Sequence, residues 1–315
     1  MAPRCVKSFQ LNTGAAIPAM GLGCFMGPTA VGESEDVTAM VKTALDLGYR
    51  HIDTAANYGN ELSVGRALKE TSVPRSEIFL TTKLDQKDHH RVKEALHTSL
   101  AKLGVSYVDL YLMHWPIAYD ESGRTLQPDE RPTFVETWKN MEKLVAAGTA
   151  RAIGVSNFSV KTLTELLAHA EVVPAVNQVE LHPSLPQHEL LAFCRARGIL
   201  LTAYSPVGKF KFANDPAIVA IAECCHSSCA QVLLSWGVQR GTVVIPKTVH
   251  AARLRENLQL VDLSEEDMAA LDVFHKKPGM HRSVCGFHSA ELGGSCWGWT
   301  YKQLGWQMTT GGVHL

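Results

Sequence analysis

The sequence predicts an α/β protein folded as one (β/α)8 barrel of the TIM type. Short apolar, β-branched runs alternate with longer stretches of helical periodicity, the runs number eight, and no break in composition divides the 315 residues. Near-continuous apolar runs suit parallel strands covered on both faces. A doubly wound open sheet would use the same units, but the count of eight and the unbroken composition favour closure. A single domain over residues 1–315 is expected.

The elements follow in chain order. VKSFQLNTGAAIPAMG (6–21) alternates around Asn12–Thr13–Gly14, a β-hairpin signature, and is expected to cap the N-terminal end of the barrel. The eight strand candidates are AMGLGC (19–24), YRHIDTA (49–55), IFLTTKL (78–84), VDLYLMH (108–114), ARAIGVS (150–156), AVNQVEL (175–181), LLTAYSP (200–206) and TVVIPKT (242–248). Between them run amphipathic helices: Val92, Leu96, Leu100 and Leu103 mark one apolar stripe, and Leu163, Leu166 and Leu167 another. Gly48, Gly104, Gly148 and Gly198 stop helices just ahead of the next strand. The last stretch, GFHSAELGGSCWGWTYKQLGWQMTTGGVHL (286–315), has no clear period and is expected to be an ordered loop over the active-site mouth. The segment AYDESGRTLQPDERPTF (118–134) could line or lid that mouth.

Hydrophobic residues make up 46% of the chain and the formal net charge is −1. No basic tract dominates, so neither nucleic acid nor an anionic membrane is an expected partner. No stretch reaches the roughly 20 apolar residues of a membrane helix, and the N-terminus lacks the apolar core of a secretory signal. Eight cysteines without disulfide-scaffold spacing read as reduced, mostly buried thiols in a cytoplasmic protein. His89, His90 and His281 lack ligand spacing and are expected to be solvated loop residues; no metal site is expected. No heptads or obvious interface are visible, and a monomer is expected.

In a barrel of this kind the C-terminal ends of the strands build the active site. Polar residues fall there: Asp53 and Tyr58 after the second strand, Lys83 at the end of the third, His114 of the fourth, Ser156 and Asn157 of the fifth. Asn177 and Gln178 lie in the sixth, Tyr204 and Ser205 in the seventh, Lys247 and Thr248 in the eighth. A phenol with a pKa near 10 is a poor acid at neutral pH. A nearby lysine would favour the phenolate, a carboxylate would hold the lysine, and a neutral imidazole could grip a carbonyl oxygen. Asp53, Tyr58, Lys83 and His114 together are equipment for reducing an aldehyde or ketone. Gly21-x-Gly23 lacks the third glycine of a dinucleotide fingerprint and reads as a tight turn.

Long motifs in the right order, GYRHIDTAANYGNE (48–61), TKL (82–84), DLYLMHWP (109–116), IGVSNF (153–158), NQVELHP (177–183), AYSP (203–206) and IPKT with Arg253, Glu256 and Asn257, resemble the aldo-keto reductases along nearly the whole chain. The resemblance implies a catalytic tetrad of Asp53, Tyr58, Lys83 and His114, and NADPH bound without a Rossmann fold. It implies that Ser156, Asn157 and Gln178 hold the nicotinamide carboxamide and that Tyr204 stacks under the ring. Ser205 and the loop after it would clasp the pyrophosphate, Lys247, Thr248 and Arg253 would grip the 2′-phosphate, and Glu256 and Asn257 would contact the adenine. A basic clamp without an evident acidic ribose ligand favours NADPH over NADH. Where the family often has Thr-Trp, this chain has Cys24–Phe25; Phe25, Trp115, Phe158 and Trp297 are candidate walls of the substrate pocket. GWTYKQLGW resembles fungal glycerol or sugar reductases of the family, implying glyceraldehyde, small dicarbonyls or aldoses as substrates. Two other readings stay open: a cofactor-binding sensor or structural protein on the same fold, and a barrel lyase or isomerase using Lys83 as a Schiff base.

Overall fold

The computed structural model describes residues 7–27 and 32–315. Strands β1 (Ser8–Gln10) and β2 (Ala16–Pro18) pair antiparallel, with Phe9 opposite Ile17. Eight parallel strands follow: β3 (Leu22–Gly23), β4 (His51–Asp53), β5 (Phe79–Leu84), β6 (Val108–Met113), β7 (Ala150–Ser156), β8 (Val176–Glu180), β9 (Leu200–Tyr204) and β10 (Val243–Val244), hydrogen-bonded in chain order. The sheet closes on itself. Met20 bridges Val244 in parallel, Gly21 N donates to Val244 O (2.9 Å) and Gly23 N to Pro246 O (3.1 Å).

The helices are α1 (Glu35–Leu47), α2 (Glu61–Glu70), α3 (Val92–Leu103), α4 (Phe134–Ala146), α5 (Val160–Leu167), α6 (His188–Arg195), α7 (Pro216–Cys224), α8 (Cys229–Gln239), α9 (Ala251–Asn257) and α10 (Glu265–Asp272). Each of the four glycines expected to stop a helix has a positive φ, from 66° at Gly104 to 106° at Gly48, a conformation glycine adopts without a Cβ penalty. Val92, Leu96, Leu100 and Leu103 are all buried on α3, and Leu163 and Leu166 on α5.

The apolar interior forms two bodies. The larger fills the space between sheet and helices. The smaller lies inside the barrel, where Leu110, Leu112, Val176 and Ile245 meet Leu11 and Ile17 of the hairpin. The hairpin is therefore a plug: its apolar face completes the inner core at the closed end, and the catalytic end is left to polar groups.

Several expectations are corrected. The last stretch, expected as an ordered loop, contains short regular elements. It folds into β11 (His288–Ser289), β12 (Ser295–Cys296), β13 (Trp299–Thr300), the short helix α11 (Tyr301–Leu304), β14 (Met308–Thr309) and β15 (Val313–His314). Strands of two residues are too short to show a period in sequence. Gly21 and Gly23 are not a turn but the barrel seam. A Cβ on Gly21 would lie 2.6 Å from His51 Nδ1 and 2.9 Å from Ile245 Cγ2, and one on Gly23 2.9 Å from Ile245 O. His89 is not solvated: it is 1% exposed, with Nδ1 3.2 Å from Thr137 Oγ1. His281 stacks on His314 at 3.8 Å. Of the described cysteines Cys24, Cys194 and Cys296 are buried, whereas Cys224 is exposed and Cys225 and Cys229 are part-buried around the turn between α7 and α8. No single helix among the described residues is long and apolar enough to cross a membrane.

Gly21→Ala is expected to cost about 1–3 kcal/mol through overpacking at the seam. Urea unfolding measures this, and an unchanged midpoint would contradict the seam as described.

Candidate active site

The pleat directs alternate side chains of β5 to opposite faces. Thr82 points outward, its Oγ1 donating to Glu61 Oε1 of α2 (2.7 Å). Lys83 therefore points inward, and it is 0% exposed. Its Nζ donates to Asp53 Oδ1 (2.5 Å), Thr54 O (2.9 Å) and Tyr58 OH (3.2 Å). All three hydrogens of the ammonium are thus engaged. Asp53, at the end of β4, accepts with its other oxygen from Gln178 Nε2 (2.7 Å).

Tyr58 sits on a 3-10 turn, Ala56–Tyr58, closed by Gly59 at φ 70°. That turn is pinned from behind: Thr54 Oγ1 donates to Asn60 Oδ1 (2.9 Å), and Asn60 Nδ2 to Cys24 O (2.7 Å). Phe25 flanks the Tyr58 ring at 5.0 Å, and the His114 ring meets it edge-on at 5.6 Å. The structure thus brings Asp53, Tyr58, Lys83 and His114 into one cluster at the C-terminal mouth.

Burial governs the protonation states. It pushes the Tyr58 phenol up; Lys83 pulls it back, but the net pKa lies above the ordinary value. The sequence suggested that Lys83 would bring it down toward neutrality; loss of water around the phenolate outweighs the ammonium. Burial also opposes the charge on Lys83, yet Asp53 and then Tyr58 overcome it and its pKa is raised. Lys83 is an ammonium rather than a free amine, so the Schiff-base reading lacks its nucleophile. Burial, with Lys83 nearby, holds His114 well below the usual imidazole range, so its ring is neutral. His114 Nδ1 is buried without a partner. A bare acceptor there costs less than an unpaired N–H, which favours the hydrogen on Nε2.

Beside the tetrad lies a second connected set. Tyr204 OH donates to Asn157 Oδ1 (2.8 Å), and Asn157 Nδ2 donates to His114 O (2.9 Å) and Ser156 Oγ (3.1 Å). Ser156 Oγ donates to Gln178 O (2.8 Å). Asn157 and Ser205 hold φ of 66° and 51°, the left-handed region, at the ends of β7 and β9. Such backbone is unusual for serine; Ser205 Oγ lies 3.8 Å from Cys285 Sγ of the tail. Asn177 faces elsewhere, its Nδ2 donating to Phe158 O (2.9 Å).

Lys247 and Thr248 follow β10, and Arg253, Glu256 and Asn257 lie on α9. Lys247 and Arg253 are exposed and make no ion pair among the described residues. Thr248 Oγ1 accepts from His250 N (3.2 Å) and keeps its own hydrogen to donate. Two unpaired cations and a hydroxyl suit a phosphate. A partly exposed Tyr204 ring at the mouth suits a planar ring above it. These residues fit NADPH.

The candidate pocket walls do not all meet. Trp115 packs against Trp297 (6.1 Å), Phe287 (5.1 Å) and Trp306 (5.9 Å). Phe158 does not join them. It is 1% exposed and its ring packs on Phe134 of α4 (5.4 Å), so it serves the core. Phe287 and Trp306 were not singled out in the sequence; no local pattern marks them, because they reach Trp115 only through the folded tail. The 118–134 segment braces that tail: Trp299 Nε1 donates to Leu126 O (2.7 Å), and Thr125 Oγ1 to Trp297 O (2.9 Å). Glu180, quoted in a motif but given no role, is buried at the end of β8. It accepts from Ser283 Oγ (2.5 Å) and Val284 N (2.7 Å) and lies 3.0 Å from His182 Nε2.

Comparison with known proteins agrees with this geometry. Residues 19–276 match the Aldo/keto reductase family. Glycerol 2-dehydrogenase (NADP(+)) of Saccharomyces cerevisiae is 44% identical over 297 residues, covering 88% of this chain and 94% of the relative. Aldo-keto reductase family 1 member A1 of Sus scrofa is 44% identical over 302 residues, covering 88% and 90%. The crystal structure of an aldo-keto reductase from Bombyx mori in complex with NADP superposes with a TM-score of 0.82 at 36% identity, covering 89% of this chain and 95% of that one. The chain belongs to the aldo/keto reductase family.

Three buried histidines make a pH prediction. Burial lowers His51 to about 4 and His89 to about 3, and holds His114 well below 6.5. Each stays neutral when folded but charges in the unfolded chain below about 6.5, so folding stability is full above that pH and is lost as pH falls. Below 6.5 the loss approaches about 1.4 kcal/mol per pH unit for each histidine. Urea unfolding at pH 7.5 and pH 5 is expected to show a marked drop, reduced in His89→Gln; an identical drop in that variant would contradict the assignment.

Proposed function

We propose that this NADP-dependent aldo-keto reductase reduces the carbonyl of small aldehydes, including glyceraldehyde, dicarbonyls and aldoses, with Tyr58 as the acid. The observation that carries the reading is the fully engaged Lys83 ammonium between Asp53 and the Tyr58 hydroxyl. NADPH, when bound, supplies the hydride. Ser156 and Asn157 would hold its carboxamide together with Gln178, Tyr204 its ring, and Ser205 its pyrophosphate. Lys247, Thr248 and Arg253 would hold the 2′-phosphate, and Glu256 and Asn257 the adenine.

The chain's own groups do the rest. His114 Nε2–H donates to the carbonyl oxygen and orients it between the imidazole and the phenol. As charge grows on that oxygen, Tyr58 gives up its proton. A phenol with a raised pKa is still far more acidic than an alcohol, so the transfer runs downhill. Lys83 stabilises the phenolate that remains, and Asp53 keeps the ammonium balanced in a buried place. In the oxidative direction Tyr58 takes the proton back as base. Phe25, Trp115 and Trp297 would line the carbonyl pocket. The name of the yeast relative, glycerol 2-dehydrogenase (NADP(+)), supports short hydroxylated substrates. Seven free cysteines among the described residues support a reducing, cytoplasmic setting.

Tyr58→Phe is expected to lower kcat by about 10²–10⁴-fold while NADPH still binds. NADPH oxidation followed at 340 nm with glyceraldehyde and methylglyoxal, beside fluorescence titration of NADPH, reads both; undiminished turnover in the variant would remove Tyr58 from the acid role. Arg253→Ala is expected to weaken NADPH about 10-fold or more, with little effect on NADH. Equal losses for the two cofactors would place Arg253 away from the 2′-phosphate.

A further inference from the structure

Four histidines far apart in sequence form one continuous ladder. The His188 ring on α6 lies 5.3 Å from His275, His275 lies 4.8 Å from His281, and His281 stacks on His314 of β15 at 3.8 Å with the rings 16° from parallel. All four line a cleft of about 540 Å³ that runs from Asn157 and Tyr204 outward beneath the end of the tail. Among the described residues no three histidine, cysteine or carboxylate groups are placed to hold a metal ion. His281 and His314 present faces to one another and His275 meets His281 edge-on, so their lone pairs do not converge.

The ladder joins the last strand of the tail to the body of the protein. His314 N donates to His281 O (2.9 Å), and Ser283 N to Gly312 O (2.8 Å). Two and three residues after His281, Ser283 and Val284 hold the Glu180 carboxylate, and Glu180 is register partner to Tyr204. Further on, Phe287 and Trp297 pack on Trp115. The strand held by the ladder is thus continuous with the segment that walls the carbonyl pocket.

Around His281 the facing groups are the other histidines, and none of them welcomes positive charge. At His188, Arg240 Nη2 donates to Nδ1 (3.1 Å), so Nε2 carries the hydrogen given to Asp272 O (2.9 Å). Asp272 Oδ1 is held by Arg240 Nε (3.4 Å) and Trp236 Nε1 (2.9 Å). His275 is followed by Lys276 and Lys277, and Lys277 pairs with Asp215 (2.5 Å). His275 Nδ1 is buried with no partner. His281 is followed by Arg282, and His314 Nδ1 donates to Leu315 O (2.9 Å). Glu189, beside His188, is exposed and makes no ion pair among the described residues. Burial, and then the neighbouring histidines, hold His281 down to about 4, and burial with His188 lowers His275.

We propose that this ladder is a pH latch centred on His281: while that imidazole is neutral it stacks on His314 and keeps the C-terminal segment closed over the carbonyl pocket, and its protonation releases it. The sign follows from linkage. Released, His281 binds a proton near pH 6.5, whereas in the stack it refuses one until about pH 4. Closure is therefore complete above 6.5 and weakens as pH falls toward 4, by up to about tenfold per pH unit for each refused proton. The consequence for the carbonyl pocket rests on the reductase reading; the latch itself does not.

The test is hydrogen–deuterium exchange of the 305–315 peptide between pH 8 and pH 5, corrected for intrinsic exchange, in wild type and in His281→Phe. The phenyl ring keeps the stack but cannot take a proton. The wild type is expected to lose protection at least tenfold from pH 6.5 to 5, and the variant to keep it. In parallel, KM for an aromatic aldehyde at saturating NADPH is expected to rise over that range in wild type only, while NADPH affinity changes equally in the two proteins as its 2′-phosphate titrates at about pH 6. Equal pH profiles of protection in the two proteins would overturn the latch. A latch seen by exchange without any turnover would instead overturn the reductase reading. His281→Gln, which likewise cannot take a proton, serves as the second variant should His281→Phe fail to fold, and NADPH binding at pH 8 reports folding in both.

Discussion

A lysine and an aspartate buried side by side set the terms for the rest of this molecule. Lys83 is 0% and Asp53 1% exposed. Neither could hold its charge alone there, since removing one partner of such a pair leaves an uncompensated ion costing about 3–5 kcal/mol. The pair demands a barrel wide enough to admit it, strands β4 and β5 side by side in the register that aims both groups inward, and further donors to complete the carboxylate. Gln178 supplies one of those from across the barrel. The hairpin plug and the tight seam at Gly21 and Gly23 then have a clear purpose: they close the apolar end so that the polar end can be held rigid.

Function grows from the same constraint. The third hydrogen of the ammonium points at the Tyr58 hydroxyl, so the phenol is bound to a charge whose position cannot drift. Burial keeps Tyr58 protonated and His114 neutral, which in the proposed reaction gives two donors toward one oxygen. This is preorganisation in the ordinary sense: the dipoles are in place before charge develops on the substrate. Asn157 links this centre to the proposed cofactor platform, touching His114 with one end of its amide and Tyr204 with the other.

Much of this was legible in the chain. Asp53, Lys83 and His114 stand out because each ends an apolar run, where packing offers no reason for a charge or an imidazole. The strand count and helix stops were legible because hydrophobic period and glycine act locally. What stayed hidden depended on contacts between distant segments. Phe158 looked like a pocket aromatic but packs against Phe134, and nothing local distinguishes the two fates. Gly21 and Gly23 serve a seam that exists only once the eighth strand has returned to the first. The tail's two-residue strands leave no period, and His188, His275, His281 and His314 become one ladder only in the folded state. The net rise of the Tyr58 pKa was also out of reach, because it depends on how completely water is excluded around it.

The most direct test of this account is a double-mutant cycle on folding stability with Asp53→Asn, Lys83→Met and both together. If the two charges exist for each other, each single change is expected to cost about 3–5 kcal/mol, and the double variant much less than the sum, because it leaves no unpaired buried charge. Simple additivity of the two losses would contradict the buried pair as the constraint on which the site depends.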